Sequence, residues 1–256
     1  MVLDTLGRLF LIVQTPQHMK SLLICSLLSA SLLLADQTKP AGASATAEKA
    51  APEKPAPEEE WVSLFDGDTL AGWCNKDGQP VTEGKWTAED GVLSRATKGA
   101  GDLYSAKMYG DFELAFDWKI ETGSNSGVKY RVQKINGKML GLEYQILDDQ
   151  NHPDNKDRDH QTAALYDLKS TIEGKPMKTV GEWNSSRIVV SKGLVQHFLN
   201  GTLVVEIQIP SQEWTQRFAK SKYKASEGFG LNEKGYLMLQ DHRDPVSFRK
   251  LKIRKL

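Results

Sequence analysis

The chain has 256 residues, 39% of them hydrophobic, and its 33 basic residues are balanced by 33 acidic ones. That apolar share supports a packed core, so a globular fold is expected and a wholly disordered chain is excluded. Zero net charge removes the electrostatic case for nucleic acid or an anionic membrane as the main partner and leaves neutral ligands open.

The first segment stands outside the expected fold. From Met19, "MKSLLICSLLSASLLLADQT" sets a lysine before an apolar run from Leu22 to Leu34, which ends in small and polar residues around Ala35. Residues 1–35 therefore read as a secretory signal peptide, with Met19 as a candidate start, and the mature protein is expected to be secreted or periplasmic. The apolar run of about 13 residues falls short of the roughly 20 that cross a bilayer, so no membrane span is expected in the mature form. Cys25 lies in this segment, follows Ile24 where a lipidation site has a small residue, and would be removed with the signal. Cys74 then stands alone, which leaves no intrachain disulfide and no cysteine metal cluster.

Residues 36–60, "DQTKPAGASATAEKAAPEKPAPEEE", carry no aromatic and no β-branched aliphatic residue and read as a disordered linker. Residues 61–256 form the expected folded domain. Its recurring signal is period two. "FELAFDWKIE" puts Phe112, Leu114, Phe116, Trp118 and Ile120 on one face and Glu113, Asp117 and Lys119 on the other. After the tight turn "GSNSG", "GVKYRVQ" sets Val128, Tyr130 and Val132 against Lys129, Arg131 and Gln133. "GLEYQILDD" alternates Leu142, Tyr144 and Ile146 with Glu143 and Gln145. Next comes a polar loop, "DDQNHPDNKDRDH", which reads as solvated or, through its Asp residues with His152 and His160, as able to take a divalent cation; no other cofactor is indicated. "RIVVS", "LVQHFL", "LVVEIQI", "GYLMLQDH" and "VSFRKLKIRKL" continue the strand pattern, and Asn200-Gly201 between two of them predicts a hairpin. Trp61, Trp73, Trp86 and Trp118 are expected in the core. No clear helix-period segment longer than a few turns appears. Many short strands joined by Gly and Asn turns predict an all-β, antiparallel sandwich with long loops.

In such a sandwich, Asp117, Arg131, Glu143, Gln145, Gln240 and His242 fall opposite an apolar run or at its edge, and would converge if their strands are neighbours. The spacing of Glu143, Gln145 and Asp148 is similar to the two-carboxylate strand of laminarinase-like glycoside hydrolases, though the middle acid is here an amide and positions 143 and 148 have opposite parity. A fuller resemblance spans residues 61–256. "WVSLFDGDTLAGW", "GSNSGVKYR", "LEYQILDDQNHPD", "ALYDL", "GEWNSSRIVV", "VQHFLNG" and "LQDH" followed by "VSFRKLKI" occur in the order seen in the 3-keto-disaccharide hydrolase domain family. The chain departs from that family where Ala163 and Arg243 replace Gly and Lys250 replaces Asn, positions expected beside the cleft that bear on substrate choice more than on fold.

The resemblance implies a concanavalin A-like jelly roll that cleaves 3-keto-glycosides by C2 proton abstraction, elimination at C1 and rehydration. Its partner would be an oxidised oligosaccharide or glycoside; no partner protein is indicated. Arg131 would then stabilise the enolate, with base and acid drawn from His197, His242 and Glu143, and Asp117 would tune them. Asn125, Gln145, Asp148 and Gln240 would bind substrate hydroxyls, and Tyr166 and Trp183 would stack on a sugar ring, as would Trp214. Two rival readings remain open: a noncatalytic carbohydrate-binding sandwich and a conventional two-carboxylate glycoside hydrolase.

Overall fold

The computed structural model describes residues 60–82, 84–95 and 98–256, so the expected signal peptide and nearly all of the expected linker lie outside the described residues. Within them the chain runs through β1 (Val62–Ser63), β2 (Trp73–Cys74), β3 (Trp86–Glu89), β4 (Val92–Arg95), β5 (Leu103–Tyr109), β6 (Phe112–Ile120), β7 (Asn125–Ile135) and β8 (Lys138–Leu147). It continues through β9 (Asn184–Ser191), β10 (Leu194–Leu199), β11 (Thr202–Gln208), the short helix α1 (Gln212–Phe218), β12 (Gly235–Leu239) and β13 (Val246–Lys255). Neighbouring strands pair antiparallel. One sheet runs β11-β10-β9-β6-β13-β4-β3 with β1 beside β13; the other runs β2-β5-β12-β7-β8.

Alternation explains the packing. Phe112, Leu114, Phe116, Trp118 and Ile120 of β6 are all buried, as are Val128 and Tyr130 of β7, Leu142, Tyr144 and Ile146 of β8, and Leu237 and Leu239 of β12. They interdigitate between the two sheets with few polar exceptions, and those are paired. The Phe116 and Tyr144 rings meet edge to face at 5.6 Å. Across the sandwich, Ser186 Oγ lies 2.7 Å from Tyr144 Oη and accepts the Trp118 indole N–H at 2.8 Å. Each such aromatic removed from water contributes on the order of 2 kcal/mol.

Local signals behave as their chemistry requires. Asn200 and Gly201, at φ of 46° and 85°, close the β10–β11 hairpin. In β7 the pairing with β8 jumps between Tyr130 and Gln133, so one extra residue is inserted, and Arg131 takes a φ of 50°. Beyond that bulge the parity of β7 inverts: Tyr130 faces the main core, yet Val132 faces the other side of the sheet with Tyr104 and Met238. The bulge also fixes its neighbours, since a Cβ on Gly141 would lie 2.7 Å from Tyr130 O and one on Gly235 would lie 2.3 Å from the Arg131 carbonyl carbon.

Helix α1 was not expected, because seven residues are too few to show a helical period. Ser211 caps it by accepting the Trp214 N–H at 3.0 Å, and Trp214 is buried in a stack with Phe218 and Phe229. Trp214 is thus part of the core. Trp61 is not: it sits at the surface with Lys252 and Arg254 over its ring.

Candidate active site

The five-stranded sheet turns one face to the core and leaves the other open. On that open face, strand register lines up Tyr104 of β5, Met238 of β12, Lys129 of β7 and Glu143 of β8 in one row. Tyr166 extends the row, its N–H donating to Glu143 O at 3.0 Å. A second row holds Gly127 opposite Gln145, with Gln240 beside it through its N–H to Gly127 O at 2.9 Å. Asp102 precedes β5 with the parity of Tyr104 and accepts the Asp241 N–H at 2.9 Å. Asn125 completes the outward parity of β7.

Lys129 Nζ stands 3.3 Å from Glu143 Oε2. Gln240, with its amide turned so that nitrogen donates to Glu143 Oε1 and oxygen accepts from Lys129 Nζ, closes a triangle at 3.3 Å on both sides. Glu143 is only 4% exposed, so its charge is held by specific partners instead of bulk water. Gly127 makes this possible: a Cβ there would lie 2.6 Å from Glu143 Oε1. The absent side chain at Gly127 is what leaves room for the Glu143 carboxylate, beside Lys129, Gln145 and Gln240. Gln145 Oε1 is buried with no hydrogen-bond partner.

Charges gather around this centre. Burial raises the Asp102 carboxyl above the usual range, offset in part by the Asp241 N–H and the charge of Lys129, while Glu143 and Asp241 raise it further. Tyr166 donates to Asp154 Oδ2 at 3.1 Å and stacks on His160 at 4.5 Å. His160 lies 3.0 Å from Asp154 Oδ1 and 3.3 Å from Asp167 Oδ1; burial works against its protonation, but the two carboxylates outweigh it and raise its pKa. Lys222, solvent-accessible at the rim, holds its Nζ 4.0 Å from the Tyr166 ring centroid, and the protein crowded around it lowers its pKa.

The site therefore unites Glu143, Gln145, Gln240, Asn125 and Tyr166 of the residues singled out from sequence. It separates the others. Arg131, the bulge residue, reaches Asp111 at 3.1 Å in the turn joining the two sheets instead of pointing beside Glu143. His197 is wholly buried, 2.8 Å from Tyr130 Oη through Nε2 and 2.9 Å from Ala163 O through Nδ1. Since a carbonyl only accepts, Nδ1 carries the proton and Nε2 accepts from the tyrosine. Asp117 lies on the outer face of the other sheet, 3.0 Å from Arg249 and 3.3 Å from Lys250. Trp183 is on that sheet too, under Lys119 and Arg249. Asp148 is a loop hub: burial alone would raise its pKa, but donors from Gly123, Asn151 and Gln150 lower it. His242, its side chain 51% exposed, sits at the rim 4.0 Å from Asp244.

Lys129, Tyr104, Asp102 and Lys222 were not singled out. Lys129 was legible, since it shares the parity of Glu143 on a neighbouring strand; strict alternation makes Arg131 look equivalent, and the bulge sends it to Asp111 instead. Two cavities flank Tyr104, of about 380 Å³ beside Cys74, Met139 and Tyr236 and about 300 Å³ beside Asp102. A larger one, about 770 Å³, lies apart from the Lys129–Glu143 pair, between the 148–151 loop and residues 171–180. Among the described residues no three His, Cys, Asp or Glu side chains are grouped to hold a metal ion, and none of the helices is long and apolar enough to cross a membrane. The polar loop instead uses His160 to tie Asp154 to Asp167.

Comparison with known proteins places this geometry in context. Residues 60–254 match the model of a family described as the 3-keto-alpha-glucoside-1,2-lyase-like domain. The chain is 33% identical over 229 residues to a Bacteroides thetaiotaomicron protein named 3-keto-disaccharide hydrolase, covering 77% of this chain and 78% of that one. A crystal structure from Parabacteroides distasonis, described as a candidate glycosyl hydrolase, superposes with a TM-score of 0.70 at 32% identity, covering 77% of this chain and 94% of its own. A second candidate glycosyl hydrolase from the same species gives a TM-score of 0.64 at 26% identity, covering 77% and 100%.

Proposed function

Because the chain belongs to the 3-keto-alpha-glucoside-1,2-lyase-like domain family, we propose that it cleaves glycosides already oxidised at C3 of the sugar, outside the cytoplasm. A ketone at C3 acidifies the C2 hydrogen. A base removes that proton, the electrons pass into an enolate at the C3 oxygen, and collapse of the enolate expels the C1 substituent, leaving a C1–C2 double bond. Water then adds at C1 and a proton returns to C2. This sequence needs a base, a cation near the enolate oxygen and an acid for the departing oxygen.

The observation that carries the reading is the Lys129–Glu143–Gln240 triangle on the floor of the open face. Glu143 serves as the base, and Lys129, freed from it as Glu143 takes up the proton, draws the enolate oxygen. The acid is Asp102. Both phenols nearby are poor candidates: burial raises Tyr104 and Tyr166, and Tyr166 already donates to Asp154. Asp102, whose own pKa burial raises, keeps its proton to higher pH than an ordinary carboxylate. Gln145, Gln240 and Asn125 hold ring hydroxyls.

The two-carboxylate strand that the sequence spacing suggested is not assembled, because Asp148 is spent on loop donors. Asp102 with Glu143 is the carboxyl pair of this face, so the substrate itself separates this reading from a conventional two-carboxylate hydrolase. The test is incubation of the purified protein with a 3-keto-glucoside and with its unoxidised parent. Cleavage of the oxidised sugar alone is expected. Cleavage of both would favour ordinary glycoside hydrolysis, and binding without turnover a noncatalytic module.

A further inference from the structure

The open face has a second half that this chemistry does not use. Beyond the Lys129–Glu143 row, Tyr104, Val132 and Met238 form a separate apolar cluster, with Cys74, Met139 and Tyr236 packed against it. It is this half that the bulge at Arg131 creates, by turning Val132 outward. The cavity of about 380 Å³ opens on it, lined by Cys74, Tyr104, Ala106, Met139 and Tyr236 and walled by the loop from Asn75 to Gly78. Tyr104 belongs to both halves, standing in the row of Lys129 and Glu143 and at the cavity wall.

Several polar groups of the 75–79 loop are engaged within the loop itself, away from the apolar floor formed by Val132, Met139 and Met238. Asn75 Oδ1 accepts the N–H groups of Asp77 and Gln79 at 2.9 and 3.0 Å, and Lys76 pairs with Asp77 at 2.8 Å. A second sugar ring laid on that apolar floor would bury hydroxyls against Val132, Met139 and Met238, at a cost of about 1–3 kcal/mol for each bond left unmade. An apolar ring would lose nothing of that kind and would cover Met139 and Tyr236, which are only partly buried.

Resting on the reading above, we infer that the Cys74–Tyr104–Met139–Tyr236 cavity is the aglycone subsite and takes an aromatic group of about one or two rings, so that the preferred substrates are 3-keto-glycosides of aromatic alcohols or phenols. Thioether and phenol side chains suit such a guest, since sulfur and ring edges both interact favourably with aromatic faces, and the volume falls within the usual range for small-molecule pockets.

The test compares the 2-phenylethyl and ethyl 3-keto-glucosides of one anomer, whose leaving alcohols are nearly equal in acidity, so that a difference reports binding of the ring. The wild-type protein is expected to show a KM about tenfold lower for the phenylethyl compound. Met139→Asp should bring the two KM values within about twofold, by raising that of the phenylethyl compound; Tyr236→Ser, which cannot cover a ring, gives the same readout if Met139→Asp fails to fold. Equal KM values in the wild type, or a preference that survives both variants, overturn the inference. Should neither compound be cleaved, the proposed activity fails, and calorimetric titration of the pair into Glu143→Gln protein still decides the subsite: about tenfold tighter binding of the phenylethyl compound supports it and equal affinity overturns it.

Discussion

Two carboxyl groups on the open face sit in different surroundings. Glu143 is bracketed by Lys129 and Gln240, whereas Asp102 is buried enough for its pKa to rise. If Asp102 is the acid, turnover requires its protonated form, so kcat falls as pH climbs through its raised pKa. Asp102→Asn should remove that limb and slow alkyl 3-keto-glucosides by about a hundredfold. It should spare the 4-nitrophenyl compound, whose leaving group needs no proton. An equal loss on both substrates would make Asp102 a structural residue. His197 illustrates a different use of burial. Its pKa falls from 6.5 to about 4 in the folded chain because the imidazolium would have no water around it. Above pH 6.5 both folded and unfolded chains are neutral there, and stability does not respond. Between 6.5 and about 4 only the unfolded chain takes up the proton, so this histidine alone removes about 3 kcal/mol of stability across that window. Urea unfolding at pH 7 and pH 4.5 should show the loss. In His197→Leu the fall should be shallower, from a lower starting stability; an unchanged slope would contradict the assignment.

At the scale of elements, β7 decides what the sheet presents. One inserted residue sends Arg131 to Asp111, leaves Lys129 in the row of Glu143 and turns Val132 onto the open face. Strict alternation read from the sequence treats Lys129 and Arg131 as equivalent, and a bulge leaves no mark in the pattern of apolar residues except the glycines that accommodate it, Gly141 and Gly235. Similar reasoning covers the three departures from the family pattern. Ala163, Arg243 and Lys250 have φ of 67°, 73° and 53°, the region where Gly or Asn is least strained. They mark backbone shape more than substrate choice, and Lys250 lies on the other sheet altogether. His197, by contrast, was legible as an interior residue, since Val195, His197 and Leu199 share one parity in β10. Gly127 gives the sharpest test at this scale. Gly127→Ala pushes a methyl group into the Glu143 carboxylate from 2.6 Å. Turnover should drop by at least about tenfold with the melting temperature held within about 4 °C, because the obstruction is a flexible side-chain end and costs little stability. Full activity in this variant would mean that Glu143 need not keep its place.

The architecture of the whole domain was legible because period two, hairpin turns and burial agree along nearly every long strand. The site was legible only in part, because convergence depends on which strands become neighbours and on where one bulge falls, and neither is written in local alternation. What the assembled molecule adds is a single open face with two characters: a charged half built around Gly127 and an apolar half built around Val132. The central claim is that the charged half removes the C2 proton of a 3-keto sugar through Glu143. Turnover of a 3-keto-glucoside in deuterium oxide, followed by NMR of the released sugar at short times, tests it most directly. Deuterium at C2 of the product, formed no faster than cleavage in the wild type and absent with uncleaved substrate in Glu143→Gln, is the predicted result. A cleaved product that retains its original C2 hydrogen would contradict it.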